Sequence, residues 1–229
     1  MQPYFFPYIG YYQLIKLVDK FILYDDVNYI KGGWINRNKI LINGQASLLT
    51  IPLSNASPFK KINEIEVIEN FNQRQKTLKT IELAYSKAKY FKVVYPLIQE
   101  ILMYHDKNLV SFLHGSLKVI LKYLNINTEI SLSSSIKKST DNFGAAKVID
   151  ICHVLGGKSY INAIGGVELY NVDMFMQNGL DLFFLKPDAN IQYKQFNNAF
   201  VANLSIIDVI MFNDVKTIDT YLNSFELIK

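Results

Sequence analysis

Cysteine is almost absent. Cys152 stands alone in 229 residues, so no intramolecular disulfide can form, which suits a reducing compartment. Histidine is nearly as scarce. His105, His114 and His153 have no metal-ligand spacing, and the adjacent Cys152-His153 pair would point to different faces of a helix, so no metal site is expected. No apolar run approaches the roughly eighteen residues of a membrane span. Residues 1–20 lack the basic and apolar regions of a secretory signal and carry two prolines, so a cytoplasmic location is expected. Neither sign of charge is concentrated. Lys and Arg number 24 against 20 Asp and Glu, for a net charge of +4, and Lys60-Lys61 and Lys137-Lys138 are pairs within a solvated surface. A nucleic-acid partner is therefore not expected. Gly-x-Ser-x-Gly elbows, P-loops and dinucleotide glycine fingerprints are all missing, which leaves serine hydrolases and common nucleotide motifs without support.

What is present is an ordinary apolar share of 50% and a high aromatic share of 14%. The length fits one large domain or two small ones. Apolar spacing predicts a short helix over Ile9–Val18, then a buried strand at Phe21–Tyr24 that delivers Asp25-Asp26 at its carboxyl end. Asn43-Gly44 predicts a β-hairpin between 39–42 and 47–53, and the alternation over Ile62–Ile68 suggests another strand. Three helices follow at 73–86, 90–105 and 108–124. Pro96 is expected to start or kink the second, and 106–108 to cap the third. The last third returns to alternation: a strand at 128–132, a helix at 142–155 ended by Gly156-Gly157, strands at 159–162 and 180–185, and helices at 172–177, 204–212 and 215–223. The expected fold is α/β. It has a Rossmann-like, mostly parallel sheet, a helical insertion at 71–127 and a β-hairpin, with residues 1–70 and 128–229 forming one mixed domain. Such a fold normally places a strand before a loop-helix motif like that at 3–12. Either Met1–Phe5 supplies it or it lies ahead of Met1.

Chemistry concentrates in the first 38 residues. Pro3 and Pro7 stiffen a loop that enters the first helix at Gly10, where free backbone N–H groups favour anions. Gln2, Tyr4, Gly10 and Tyr11 are candidates to cradle and stack on a ligand, against the plainer reading of an aromatic structural turn. Asp25 and Asp26 are candidate catalytic carboxylates. Neighbours on a strand face opposite ways, so one of the two is expected to enter a site and the other to cap a turn. Trp34, Asn36, Arg37 and Asn38 mix an aromatic wall with a guanidinium suited to phosphate or carboxylate, or to pairing with Asp25 or Asp26. Asn162, Gly165 and Gly166 occupy a strand-to-helix turn, a common ligand position. Ser205 with Asp208 reads as helix capping.

The stretches MQPYFFPYIGYYQLI, DKFILYDDVNYIKGGWINRNKI, AYSKAKYF, VIDICHVLGGKSYINAIGGVELY and NLSIIDVIMFN together resemble the WbqC-like protein family. The resemblance runs collinearly over nearly the whole chain. It implies a place among proteins of surface-polysaccharide (O-antigen) synthesis, and an enzyme that transfers an aminoacyl or acyl group, glycine among them, to an amino sugar. No catalytic residue carries over with it. A small-molecule substrate is implied, with a nucleotide or nucleotide-activated sugar as the cofactor-like ligand. The alternatives are a non-catalytic sugar-nucleotide binding or scaffold protein, and a nucleotidylyl or glycosyl transferase.

Overall fold

The computed structural model describes residues 1–197 and 199–229. Helix α1 (Ile9–Leu17) is buried without a break from Ile9 to Ile15. Its buried Gln13 donates to the carbonyls of Tyr221 (2.7 Å) and Ser224 (2.9 Å), which ties the start of the chain to its end. Strand β1 (Lys20–Leu23) comes next and pairs in parallel with β6 (Glu129–Leu132), Leu23 lying opposite Leu132. Strands β2 (Arg37–Ile42) and β3 (Gln45–Thr50) form the expected hairpin. Its turn residues Asn43 and Gly44 have φ of 51° and 76°, the left-handed values that make Asn-Gly a hairpin signal. Short β4 (Leu53–Ser54) pairs with β5 (Glu66–Val67).

The strand expected over 62–68 is mostly replaced. Ile62–Glu64 is a 3-10 turn, and only Glu66–Val67 is extended. The Glu64 carboxylate accepts from Lys61 N at 2.7 Å, a local bond that competes with ladder pairing.

Helices α2 (Phe71–Tyr85), α3 (Phe91–Met103) and α4 (Leu109–Tyr123) occupy the middle. Asn70 and Asn108 cap α2 and α4 through their side chains. Pro96 neither starts nor ends α3, which runs through it. Beyond β6 come α5 (Gly144–Val154), β7 (Ser159–Ala163), α6 (Val172–Gln177), β8 (Asp181–Pro187), α7 (Ile206–Phe212), α8 (Val215–Leu222) and β9 (Phe225–Ile228). β7 and β8 are parallel, and β9 joins β8 antiparallel as a strand the sequence pattern did not announce.

The architecture is therefore mixed α/β with small, partly parallel sheets. Instead of one mostly parallel sheet, the described residues form a β1-β6 pair and a separate three-stranded β7-β8-β9 sheet, besides the two antiparallel pairs. The core divides likewise. A large cluster spans α1–α4, β1, β2 and α7, and a smaller one gathers Val148, Ile149, Phe175, Leu180, Leu182 and Phe184. One polar knot crosses the large cluster. Asp208 on α7, fully buried, accepts from Tyr85 Oη (2.8 Å), Tyr193 Oη (2.6 Å) and Gln195 Nε2 (2.6 Å), while Tyr85 Oη accepts from Leu41 N.

Candidate functional site

Strands β1 and β6 run in parallel and end together, so the segments leaving their carboxyl ends lie side by side, the position where ligands bind in parallel sheets. Tyr24-Asp25-Asp26 leaves β1, and a 3-10 turn, Ser133–Ser135, leaves β6. The two carboxylates part, both lying beyond the end of β1 at Leu23. Asp25 turns inward and is 1% exposed. It accepts from Ser134 N (2.9 Å), Ser134 Oγ (2.6 Å) and Asn63 Nδ2 (3.3 Å), a set of bonds that locks the two strand ends together.

Asp26 turns the other way, into a cationic cluster. Its carboxylate lies 3.0 Å from both Lys138 Nζ and Lys147 Nζ, and Ser133 Oγ donates to it at 2.6 Å. The three charged side chains are only 8%, 13% and 14% exposed, for Lys138, Lys147 and Asp26. Lys138 Nζ also donates to the Ser133 carbonyl, and Lys147 Nζ to the Asp26 carbonyl at 3.3 Å. The Lys147 ammonium sits 5.0 Å from the centre of the Tyr24 ring. Burial alone would raise the Asp26 carboxyl, but the hydrogen bonds from Ser133, Lys138 and Lys147 and the charge of Lys147 outweigh it and hold it at about 2. Two ammoniums flank this one carboxylate, with the Asp25 carboxylate next in the chain and that of Asp150 accepting from Ser139 N beside Lys138. Held ionised, Asp26 is a weak proton acceptor and a good anchor. Nearby, Tyr160 Oη donates to Tyr170 Oη at 3.4 Å, and burial raises the pKa values of Tyr24 and Tyr160 well clear of neutrality, so both remain neutral phenols.

The N-terminal motif is built differently. Asn38 Nδ2 donates to the carbonyls of Phe5 (3.1 Å) and Phe6 (2.9 Å), Ser205 Oγ also reaches Phe6 O (2.9 Å), and Phe5 N donates to Trp34 O. These bonds hold Phe6 at a φ of 42°. Tyr11 Oη donates to the Gln2 carbonyl, and the Tyr4 and Tyr11 rings lie 5.6 Å apart. The Tyr8 side chain packs over Gly10, its hydroxyl 2.4 Å from where a Cβ would stand. Asn36 accepts from Tyr29 Oη and donates to Ile51 O. Arg37 donates from Nε to Gly33 O (3.1 Å) and from Nη2 to Gly32 O, closing its own loop instead of reaching Asp25 or Asp26. Trp34 is 42% exposed beside Lys39. The Gln2–Gly10 loop and the 34–38 segment are thus joined to each other, and Met1 O accepts from Tyr24 N on the way to Asp26. Asn162 is buried, its Nδ2 only 2.4 Å from where a Cβ on Gly166 would stand, which explains that glycine, while Gly165 faces open space.

Lys138, expected from the sequence to lie in a solvated surface pair, is instead nearly buried by its contacts with Asp26 and the Ser133 carbonyl, and Lys147, Ser133, Tyr160 and Tyr170 carry no site signal in the sequence. The available signal was a Lys-Lys pair in a Ser/Thr-rich loop directly after a strand. Cys152 is half-buried, and burial pushes its thiol up to about 11. Alkylation at pH 8 is expected to run on the order of a hundredfold slower than that of a free thiol, with Cys152→Ser melting close to the parent. Rapid labelling would mark a reactive cysteine.

The family model described as the WbqC-like protein family matches residues 2–220. The chain belongs to that family. An uncharacterised protein of Mycobacterium tuberculosis, Rv1507c, is similar, with 26% identity over 215 residues that cover 93% of this chain and 91% of its own. No solved structure matches. Among the described residues no helix of this WbqC-like protein is long and apolar enough to cross a membrane.

Proposed function

We propose that this WbqC-like protein is an enzyme of surface-polysaccharide precursor synthesis that transfers an aminoacyl or acyl group to an amino sugar. The observation that carries the reading is the Asp26–Lys138–Lys147 cluster at the ends of parallel strands β1 and β6, where two nearly buried lysines meet. A phosphate of a nucleotide-linked sugar, or the carboxylate of an amino acid, is the chemistry such a cluster recognises. Lys138 and Lys147 hold that anion, Asp26 spaces the two ammoniums, and Tyr24, Tyr160 and Tyr170 offer aromatic and hydroxyl surface to a sugar. The N-terminal loop with Trp34 and Arg37 borders the neighbouring segment.

Asp26 supplies no ready base, because its carboxyl is held at about 2. That single fact favours a second reading, a non-catalytic sugar-nucleotide binder. Calorimetric titration with nucleotide-linked amino sugars, followed by mass spectrometry after incubation with glycine and ATP, separates the two. A sugar nucleotide should bind, and Lys147→Ala should weaken it at least about tenfold, as expected for loss of a charge-assisted contact. A product heavier by one glycyl residue supports the transferase. Binding without that product supports the binder. Equal affinity of parent and Lys147→Ala removes the cluster from the site.

A further inference from the structure

The β2-β3 hairpin has one occupied edge and one open edge. On β2, Leu41 N donates to Tyr85 Oη at 2.8 Å, and Lys39 O accepts from Ser205 N at 2.8 Å. On β3, the two-residue Asn43-Gly44 turn makes Ile42 and Gln45 a hydrogen-bonded pair. The bond from Ile51 N to Asn36 O at 2.8 Å keeps that phase at the far end. Alternation then turns Gln45, Ser47 and Leu49 towards β2, and Ala46, Leu48 and Thr50 outward. Among the described residues, no hydrogen bond reaches the backbone N–H or C=O of those three.

Strand edges that stay single are blunted by charge, proline or a bulge. β3 has none of these. Its sequence Gln-Ala-Ser-Leu-Leu-Thr holds no charge and no proline, and its pairing with β2 runs without a bulge. Leu48 stands at the middle of the outward set and is 55% exposed. It lies across from Lys39, whose ammonium is 5.8 Å from the centre of the exposed Trp34 ring. The charges of the hairpin, Arg37 and Lys39, are both on β2, one strand in from the open edge.

We propose that β3 pairs antiparallel with β3 of a second copy of this chain, about a twofold axis at Leu48. That register sets Leu48 opposite Leu48 of the partner subunit, and Ala46 opposite Thr50 of the partner subunit. It uses all three outward residues on each strand, for about six backbone bonds. A one-residue slip would set outward groups against inward ones. The result is a four-stranded β2-β3-β3-β2 sheet, closed by its own symmetry. A second copy is favoured over a foreign peptide because the strand complements itself. Leucine meets leucine, and alanine meets threonine. Arg37 and Lys39 stand at least about 14 Å from their copies, three strand spacings and beyond a Debye length. β3 itself offers no charge by which a charged peptide would be chosen. A pair of six-residue strands is small beside the roughly 1,200 Å² of a stable interface, so the dimer dissociates on dilution.

Sedimentation velocity from about 5 to 500 µM tests it, with mass rising from monomer to dimer in the parent chain. Ala46→Pro removes an outward N–H and no bond of the hairpin, and Leu48→Lys sets two ammoniums together on the axis. Each is expected to raise the dissociation constant at least about tenfold, with Tm in dilute solution within about 2 °C of the parent. Register is read by cross-linking in a Cys152→Ser background. Leu48→Cys should oxidise to a linked dimer, because paired Cα atoms lie about 5.5 Å apart. Thr50→Cys should not, because it stands about 14 Å from its copy. A parent that stays monomeric at the highest concentration overturns the proposal. So do equal dissociation constants in parent and variants, equal cross-linking at the two positions, or growth beyond a dimer. Should Ala46→Pro fail to fold, Leu48→Lys and the two cysteine variants decide.

Discussion

Asp26→Ala is expected to destabilise the protein by about 3–5 kcal/mol, the cost of removing one partner from a buried charge cluster. Lys138 and Lys147 would remain, nearly buried, with their mutual repulsion unscreened by a carboxylate. Urea unfolding measures the loss. Lys147→Ala should cost less, because Lys138 still neutralises Asp26. Replacing all three residues with Leu or Met of similar volume should recover much of the stability and still abolish anion binding, which separates folding from recognition. The pH dependence has a definite sign. The folded carboxyl is held at about 2 against 3.8 for the free group, so its stabilisation is full above about pH 4 and is lost as pH falls towards 2. Asp26→Asn should lack that slope. An unchanged acid limb, or a loss under about 1 kcal/mol in the alanine variant, would show the cluster to be a loose surface pairing.

Asp208→Ala is expected to be comparably severe. It leaves Tyr85 Oη, Tyr193 Oη and Gln195 Nε2 without their acceptor inside the core. Each buried donor left unpaired costs about 1–3 kcal/mol, so the sum is at least about 3 kcal/mol and Tm falls by about 6–12 °C. Its pH behaviour is the reverse of that of Asp26. Burial raises the Asp208 carboxyl, and the bonds from Tyr193, Gln195 and Tyr85 only partly offset this. The folded state therefore binds this proton more tightly than the unfolded chain, and the contribution becomes more favourable as pH falls through the raised value towards 3.8. Scanning calorimetry of Asp208→Ala and Asp208→Asn at two pH values checks both magnitude and sign. A Tm shift under about 2 °C in the alanine variant would show that water or a neighbour replaces the lost acceptor.

Local signals were the legible part of the fold. Asn43-Gly44 marked the hairpin through its left-handed backbone, Asn108 capped α4 as its spacing implied, and Gly156-Gly157 came directly after the end of α5. Long-range pairing was not legible. Nothing in the sequence Lys20–Leu23 names Glu129–Leu132 as its partner, and the four residues of β9 carry too short an alternation to stand out. The carboxylates of the candidate cluster could be read, because a strand ending in Asp-Asp is a local pattern. Their partners could not. Lys138 and Lys147 come from a loop and a helix more than a hundred residues on, and on sequence alone a lysine beside serines reads as surface. Ser205 was read as a cap and does accept from Ile207 N, but its hold on Phe6 O depends on folding that no spacing reveals.

That last contact bears on how the protein is made. The aromatic loop at the start of the chain is secured by Ser205 Oγ on Phe6 O and by Ile206 N on Pro7 O. At synthesis rates of about 5–20 residues per second, those anchors leave the ribosome roughly 10–40 seconds after the loop does. Through that interval Phe5, Phe6, Tyr11 and Tyr12, all buried in the finished protein, are without their final cover. An aromatic loop whose fastener is made so much later makes the yield of folded protein depend on what shields residues 1–15 during translation.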